Sequence, residues 1–155
     1  MSVETYQSPM GTLYFDVSNR GLTALSFKKP QPSGAQSESN AKLAAQIRSA
    51  LDKYFAGDFE ALKDLPLDVK GTPFQQKVWH AAQKIPAGKP TSYGQLAKKI
   101  GHDGASRAVG SALGKNPVVL AVPCHRVLAA NGGLGGFTGG LTKKQFLLSH
   151  ESAVH

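Results

Sequence analysis

The sequence predicts an α+β fold: a small N-terminal sheet-plus-helix domain followed by a mainly helical C-terminal domain with a helix-turn-helix. Three observations predict it. Short segments near residues 3–7, 12–17 and 22–27 read as strands separated by turn residues. Leu43, Ile47, Leu51 and Phe55 recur at every fourth position, the spacing of one helix face. In the second half, capped helix starts at Thr72 and Ser92 are followed by a glycine-containing break. The expected division is an N-terminal scaffold domain over 1–65, a linker over 66–71 and a C-terminal domain over 72–155, within the length of one ordinary domain or two small ones.

Each element has a local cause. Ser8-Pro9-Met10-Gly11 and Ser18-Asn19-Arg20-Gly21 punctuate the three expected strands. Residues 28–40 are rich in Lys, Pro, Gln and Ser and read as an exposed loop. The helix over Ala41 to Phe55 then stops at Gly57. Thr72-Pro73-Phe74-Gln75 places threonine at the N-cap, proline at the first helical position and glutamine at the third, a capping box. Phe74, Val78, Ala81 and Ile85 give that helix its apolar face until Pro86-Ala87-Gly88. Ser92-Tyr93-Gly94-Gln95 repeats the capping pattern for a short helix through Leu96, Ala97 and Ile100. After Gly101-His102-Asp103-Gly104 a third helix runs from Ala105 to Leu113, and two short helices joined by about four residues make a helix-turn-helix. Its side chains are nearly all small except Arg107 and Val109, which suits either tight packing on a neighbour or close approach to a nucleic-acid groove with Arg107 as the long probe. Val118 to Val122 is an apolar run expected as a buried strand, delivering Pro123-Cys124-His125-Arg126-Val127 at its end. Asn131 to Gly140 holds six glycines and reads as a loop able to lie close to a ligand. A last helix over Thr142 to His150 places Phe146, Leu147 and His150 on one side.

Composition narrows the class. Hydrophobic residues make up 41% and charged residues 18%, enough for a core and too apolar for a disordered tail. One cysteine excludes an intramolecular disulfide framework and a Cys-rich structural zinc site. The chain has no apolar run long enough to span a membrane, and residues 1–20 do not read as a signal peptide, so a cytoplasmic location is expected. Charge is uneven: residues 1–70 carry eight basic and eight acidic residues, residues 71–155 ten basic against Asp103 and Glu151. A polyanion partner and simple solubility both fit that imbalance.

Cys124 is the candidate nucleophile, because it leaves an apolar run beside His125 and Arg126 and a nearby cation favours the thiolate. Neighbouring side chains in a chain diverge, so proton transfer between Cys124 and His125 is expected to run through water. A carboxylate should orient the imidazole; of Asp103 and Glu151, Glu151 at the end of the last helix is the choice. The glycine loop has no dinucleotide fingerprint, since Thr138 stands where a third glycine belongs. His150 and His155 lie about 140° apart around a helix, and no metal site is read.

Pro123-Cys124-His125-Arg126-Val127, taken with Ser92-Tyr93-Gly94, Arg107-Ala108-Val109-Gly110, Asn116-Pro117, Gly139-Gly140-Leu141 and Leu148-Ser149-His150-Glu151, resembles the methylated-DNA–protein-cysteine methyltransferases, or alkylguanine-DNA alkyltransferases. The resemblance is dense over 72–155 and loose over 1–27. It implies direct reversal of DNA damage: irreversible, single-turnover transfer of an alkyl group from O6 of guanine, and less readily O4 of thymine, to Cys124. By the same resemblance His125 acts as base through a water, Glu151 orients it, and Tyr93 donates to N3 of the leaving guanine. Arg107 enters the duplex in place of the flipped nucleotide, with Gly94 and Ala105 also set against DNA. Asn116 hinges the recognition helix to the Cys124 strand, and the backbone of Val127 and Thr138 lines the base pocket.

No cofactor is implied, because the protein is itself the acceptor. The zinc that some family members hold in the N-terminal domain is not expected, since that part of the chain has neither cysteine nor histidine. The implied partner is duplex DNA containing O6-alkylguanine, engaged by a monomer, with cooperativity along DNA left open. Two other classes stay in view: a non-enzymatic binder of alkylated DNA or regulator, and a cysteine hydrolase using Cys124 and His125.

Overall fold

Pro9 and Met10 reverse the chain between β1 (Glu4–Ser8) and β2 (Gly11–Val17), with Gly11 at φ +117, a backbone setting that favours glycine. The computed structural model in which this hairpin is seen describes residues 3–28, 41–128 and 141–152. Its contacts form two units, Met1–Lys70 with Pro117–Ala121, and Gly71–Asn116 with Val122–His155.

In the first unit β1, β2 and β3 (Leu22–Ser26) make an antiparallel sheet in the order β1-β2-β3. Leu13, Phe15 and Val17 alternate along β2 and are buried, as a half-buried strand requires. Leu43, Ile47 and Leu51 of α1 (Ala41–Phe55) are buried as their spacing predicts. The fourth member of the series is not: Tyr54, 1% exposed, takes the place expected of Phe55. A repeat of four drifts by about 40° per step against the 3.6-residue turn, so by the last turn the buried side has moved back one residue.

The outer edge of β3 is covered by two short parallel pairings. Leu22 bridges Leu67, and Leu25 bridges Val118, each through a pair of backbone hydrogen bonds of 2.8–2.9 Å. Such cover satisfies edge groups that would otherwise invite association. Residues 66–68 are therefore fastened to β3 instead of forming free linker, and Asp68 also accepts from Ser18 Oγ at 2.6 Å. Gly21 admits this approach: a Cβ there would lie 2.7 Å from the Pro66 carbonyl oxygen.

The second unit is helical. Thr72 caps α2 (Pro73–Ala82) with the reciprocal box expected, Gln75 N donating to Thr72 Oγ1 and Thr72 N to Gln75 Oε1. The helix ends three residues before Ile85, which is buried in the following turn. After β4 (Thr91–Ser92), Ser92 caps α3 (Tyr93–Lys99) through Gln95 N, while Gln95 Oε1 accepts from Thr91. The connection to α4 (Ser106–Gly114) spans Ile100 to Ala105, longer than expected, and turns on Gly101 and Gly104 at φ +83 and +88. Trp79 of α2 donates its indole N–H to the Ala112 carbonyl at 2.8 Å, fixing α4 by its inner face.

The run Val118 to Val122 is buried as expected but does not form a strand. Leu120 takes φ +70, and Ala121 N donates to Val119 O at 2.7 Å, a tight three-residue turn that breaks the extended backbone. The same turn divides the expected 72–155 domain: Pro117–Ala121 groups with the first unit. A second turn follows at Pro123 (φ −78, ψ 68), with Cys124 N donating to Val122 O at 2.8 Å. Cys124 thus stands at the start of a single 3-10 turn, Cys124–Arg126, and not on a strand. β5 (Val127–Leu128) then pairs in parallel with β4, and α5 (Leu141–Ser152) completes the described residues.

Candidate active site

Three local devices hold Cys124. The proline turn before it aims the 3-10 turn, whose end is closed by Val127 N donating to the Cys124 carbonyl. Asn116, at the exit of α4 and 6% exposed, donates from Nδ2 to Val122 O at 2.9 Å and hydrogen-bonds the thiol. It ties the end of α4 to the Cys124 turn directly, in place of the expected strand. The two-residue pairing Thr91↔Val127 and Ser92↔Leu128 sets Tyr93, the next residue, just past its far end, where its ring lies 5.9 Å from the Lys144 ammonium that donates to the Val127 carbonyl.

Behind the thiol lies a buried ionic cluster. Glu151 Oε2 accepts from His125 Nε2 at 2.7 Å, and the same carboxylate takes a two-pronged contact from Arg126, Nε to Oε1 and Nη2 to Oε2, both 2.8 Å. Arg126 Nη1 donates to the Ile85 carbonyl at 2.7 Å. His125, Glu151 and Arg126 are 0%, 1% and 6% exposed. Burial acts to raise the Glu151 pKa, but the hydrogen bonds from His125 and Arg126 and their charges outweigh it and hold the carboxyl at about 2. Burial pushes the His125 imidazole below its ordinary value despite Glu151. An ionised carboxylate only accepts, so Nε2 carries the imidazole proton and Nδ1 keeps a lone pair.

The thiol corrects one expectation. Burial raises the Cys124 pKa, and the groups that draw it back down are Asn116 and Lys144, not the sequence neighbours His125 and Arg126. Arg126 is committed to Glu151, which is why adjacency in sequence misleads here.

Cys124, His125, Glu151, Asn116, Val127 and Tyr93 thus belong to one neighbourhood. Arg107 and Gly94 are exposed on the helix-turn-helix, and Ala105 is the N-cap residue of α4 without a side-chain cap bond. Thr138 and the glycine loop lie outside the described residues. The exposed side of α4 offers Ser106, Ala108, Ser111 and Gly114 around Arg107, while Val109, Ala112 and Leu113 are buried. Lys98, Lys99 and Lys115 are also exposed, and with Glu151 buried the unit has Asp103 as its exposed carboxylate. Among the described residues no group of His, Cys, Asp or Glu is arranged to hold a metal ion.

Two site residues were not read from sequence. From sequence Arg126 is only a charge near the thiol. Lys144 lies one helical turn before Leu147 and two before Glu151, so the buried stripe of α5 runs Lys144, Leu147, Glu151, with Phe146 exposed. The spacing to Glu151 was the available signal.

Comparison with known proteins covers both parts of the chain. A family model described as 6-O-methylguanine DNA methyltransferase, DNA binding domain, matches residues 73–153, and one described as the ribonuclease-like domain of 6-O-methylguanine DNA methyltransferase matches residues 1–69. A methylated-DNA–protein-cysteine methyltransferase of Shigella flexneri is 48% identical over 105 residues, 68% of this chain and 61% of that protein. One from Mycolicibacterium paratuberculosis is 43% identical over 149 residues, 95% of this chain and 90% of the relative. The crystal structure of Mycobacterium tuberculosis OGT in complex with DNA superposes with a TM-score of 0.83 at 39% identity, covering 97% of this chain and 92% of that one.

Proposed function

The chain belongs to the 6-O-methylguanine DNA methyltransferase family, and from that premise we propose that it repairs DNA by moving an alkyl group from O6 of guanine, less readily O4 of thymine, to Cys124 in a single turnover. The observation that carries this reading is the Glu151–His125 contact of 2.7 Å beside the buried Cys124 turn. With Nε2 donating to Glu151, Nδ1 takes the thiol proton through a water. The thiolate attacks the alkyl carbon in line: an S–C bond forms as the C–O6 bond breaks, and the electron pair leaves with guanine. Tyr93 supplies a proton or hydrogen bond at N3 of the departing base. The thioether at Cys124 has no route back to a thiol, so each molecule acts once and needs no cofactor.

The helix-turn-helix supplies the DNA side. A base in a duplex must be turned out of the stack before a buried thiol can reach it, at a cost of a few kcal/mol. Arg107, the long side chain on an otherwise small-residue face, fills the gap, and the small residues around it, with Gly94 and Ala105, allow close approach to the minor groove. The exposed lysines neutralise phosphates. Val127 contributes backbone to the base pocket, as Thr138 would. The part over 1–65 serves as scaffold and the part over 72–155 performs the transfer, in a monomer acting in the cytoplasm.

The test is intact-protein mass after mixing with a duplex containing one O6-methylguanine, with Cys124→Ser alongside. The wild type gains one methylene and the variant gains nothing while still binding the duplex. Binding without a mass gain in the wild type would move the protein to the non-enzymatic damage binders.

A further inference from the structure

Lys144 has no solvent-exposed surface, the only lysine so placed among the described residues. Burying an ammonium is costly unless its surroundings compensate. Its Nζ donates to the Val127 carbonyl at 2.8 Å and stands 5.9 Å from the centre of the Tyr93 ring, within cation–π range. Val127 is the residue whose N–H closes the 3-10 turn on the Cys124 carbonyl. One side chain of α5 therefore fastens the exit of the turn that begins with the thiol.

The charges around that turn decide what Lys144 does there. Arg126 and Glu151 pair with each other, and His125 is held neutral by burial. The Tyr93 ring and the Asn116 amide complete the polar surroundings. With Cys124 as a thiol the buried cluster carries one net positive charge; with Cys124 as a thiolate it carries none. We propose that Lys144 is a positioning residue for alkyl transfer: its ammonium pins the Val127 end of the Cys124 turn and makes the ionised thiol the charge-neutral state of the buried cluster. The inference rests on the reading of Cys124 as the acceptor. Burial works against both charges, raising the thiol and lowering the ammonium, and each of the two draws the other back toward its charged form.

The test separates charge from hydrogen bonding. Lys144→Gln keeps an N–H group for the Val127 carbonyl but removes the charge. Thiolate ultraviolet absorbance is titrated in wild type and variant, with Cys124→Ser subtracted, and the rate of transfer from O6-methylguanine duplex is measured across the same pH range. In Lys144→Gln the thiol midpoint rises by about one unit, the neutral-pH rate falls roughly tenfold, and the rate recovers as pH climbs through the new midpoint. Lys144→Arg restores much of the neutral-pH rate. An unchanged midpoint in folded Lys144→Gln, with the rate lost equally at every pH, overturns the proposal. Should that variant not fold, the Cys124→Ser protein serves: the Lys144 ammonium midpoint, followed by carbon NMR at Cε, falls below its wild-type value, and an unmoved midpoint overturns the proposal. The absorbance titration requires no DNA, so a failure of alkyl transfer itself leaves its outcome readable.

Discussion

The two units treat charge in opposite ways. In the first, ionic groups meet at the surface: Arg48 reaches Glu4 at 2.8 Å with side chains 42% and 37% exposed, and Lys63 lies 3.6 Å from Glu60 with both well exposed. In the second, Arg126 and His125 are shut away from water, each within 2.8 Å of the buried Glu151 carboxylate, while the exposed cations on α3 and α4 stand in a unit whose exposed acidic side chain is Asp103. Exposed pairs contribute little, because water already solvates both partners. Buried pairs are costly to assemble and costlier to break, so they persist where they hold something in place. What they hold here is the imidazole beside Cys124. Charge count alone, zero in one half and +8 in the other, does not reveal this division.

The largest expected effect breaks the buried side of that contrast. Glu151→Gln leaves Arg126 without its counter-charge in a place water does not reach, and about 3–5 kcal/mol of stability is lost, measured by urea denaturation. The same carboxylate gives the wild type an acid limb. Its folded pKa of about 2 lies below the ordinary 4.5, so the unfolded chain binds its proton first. The stabilisation is complete above about 4.5 and drains away as pH falls from there toward 2. Glu151→Gln lacks that limb. An equally steep acid limb in the variant assigns the transition to other carboxylates and removes the distinction between buried and surface charge.

Arg107→Ala tests the exposed cations and should be smaller in free energy. On duplex substrate the transfer rate falls roughly ten- to a hundredfold, since gap filling offsets only part of the few kcal/mol that base extrusion costs. With free O6-methylguanine base the rate is unchanged, because nothing needs extruding. Stability is also unchanged, the side chain being exposed. Equal slowing on both substrates would remove Arg107 from the DNA side and return α4 to a packing helix.

The legible parts of this molecule are those with local causes. The capping box at Thr72 and the cap at Ser92 are satisfied within four residues of chain, and both helices start where those residues stand. Alternation along β2 and the spacing of Leu43, Ile47 and Leu51 are equally local. Val118 to Val122 misled because branched apolar residues satisfy burial in a strand or in a tight turn alike, and only Leu120 at φ +70 separates the two. Within the site, Glu151 was reachable because the second half has so few carboxylates. For Lys144 the spacing to Glu151 shows a shared helix face, but burial of its ammonium depends on a carbonyl at Val127 and a ring at Tyr93, far away in sequence.

Glu4→Gln gives the smallest expected effect and sets the other end of the comparison. Arg48 does not depend on Glu4 alone: Nη1 donates to the Thr5 carbonyl at 2.6 Å, and the guanidinium lies 5.2 Å from the centre of the Phe15 ring. Removing the carboxylate charge therefore leaves the arginine bonded and packed, with water free to reach what Glu4 gave up. The expected loss is under about 1 kcal/mol at low salt. It should shrink further as added salt screens the pair in the wild type, so that wild type and variant converge. A loss as large as that of Glu151→Gln, persisting in high salt, would mean that Arg48 is held as tightly as Arg126. The two units would then differ in where their charges sit but not in what those charges sustain.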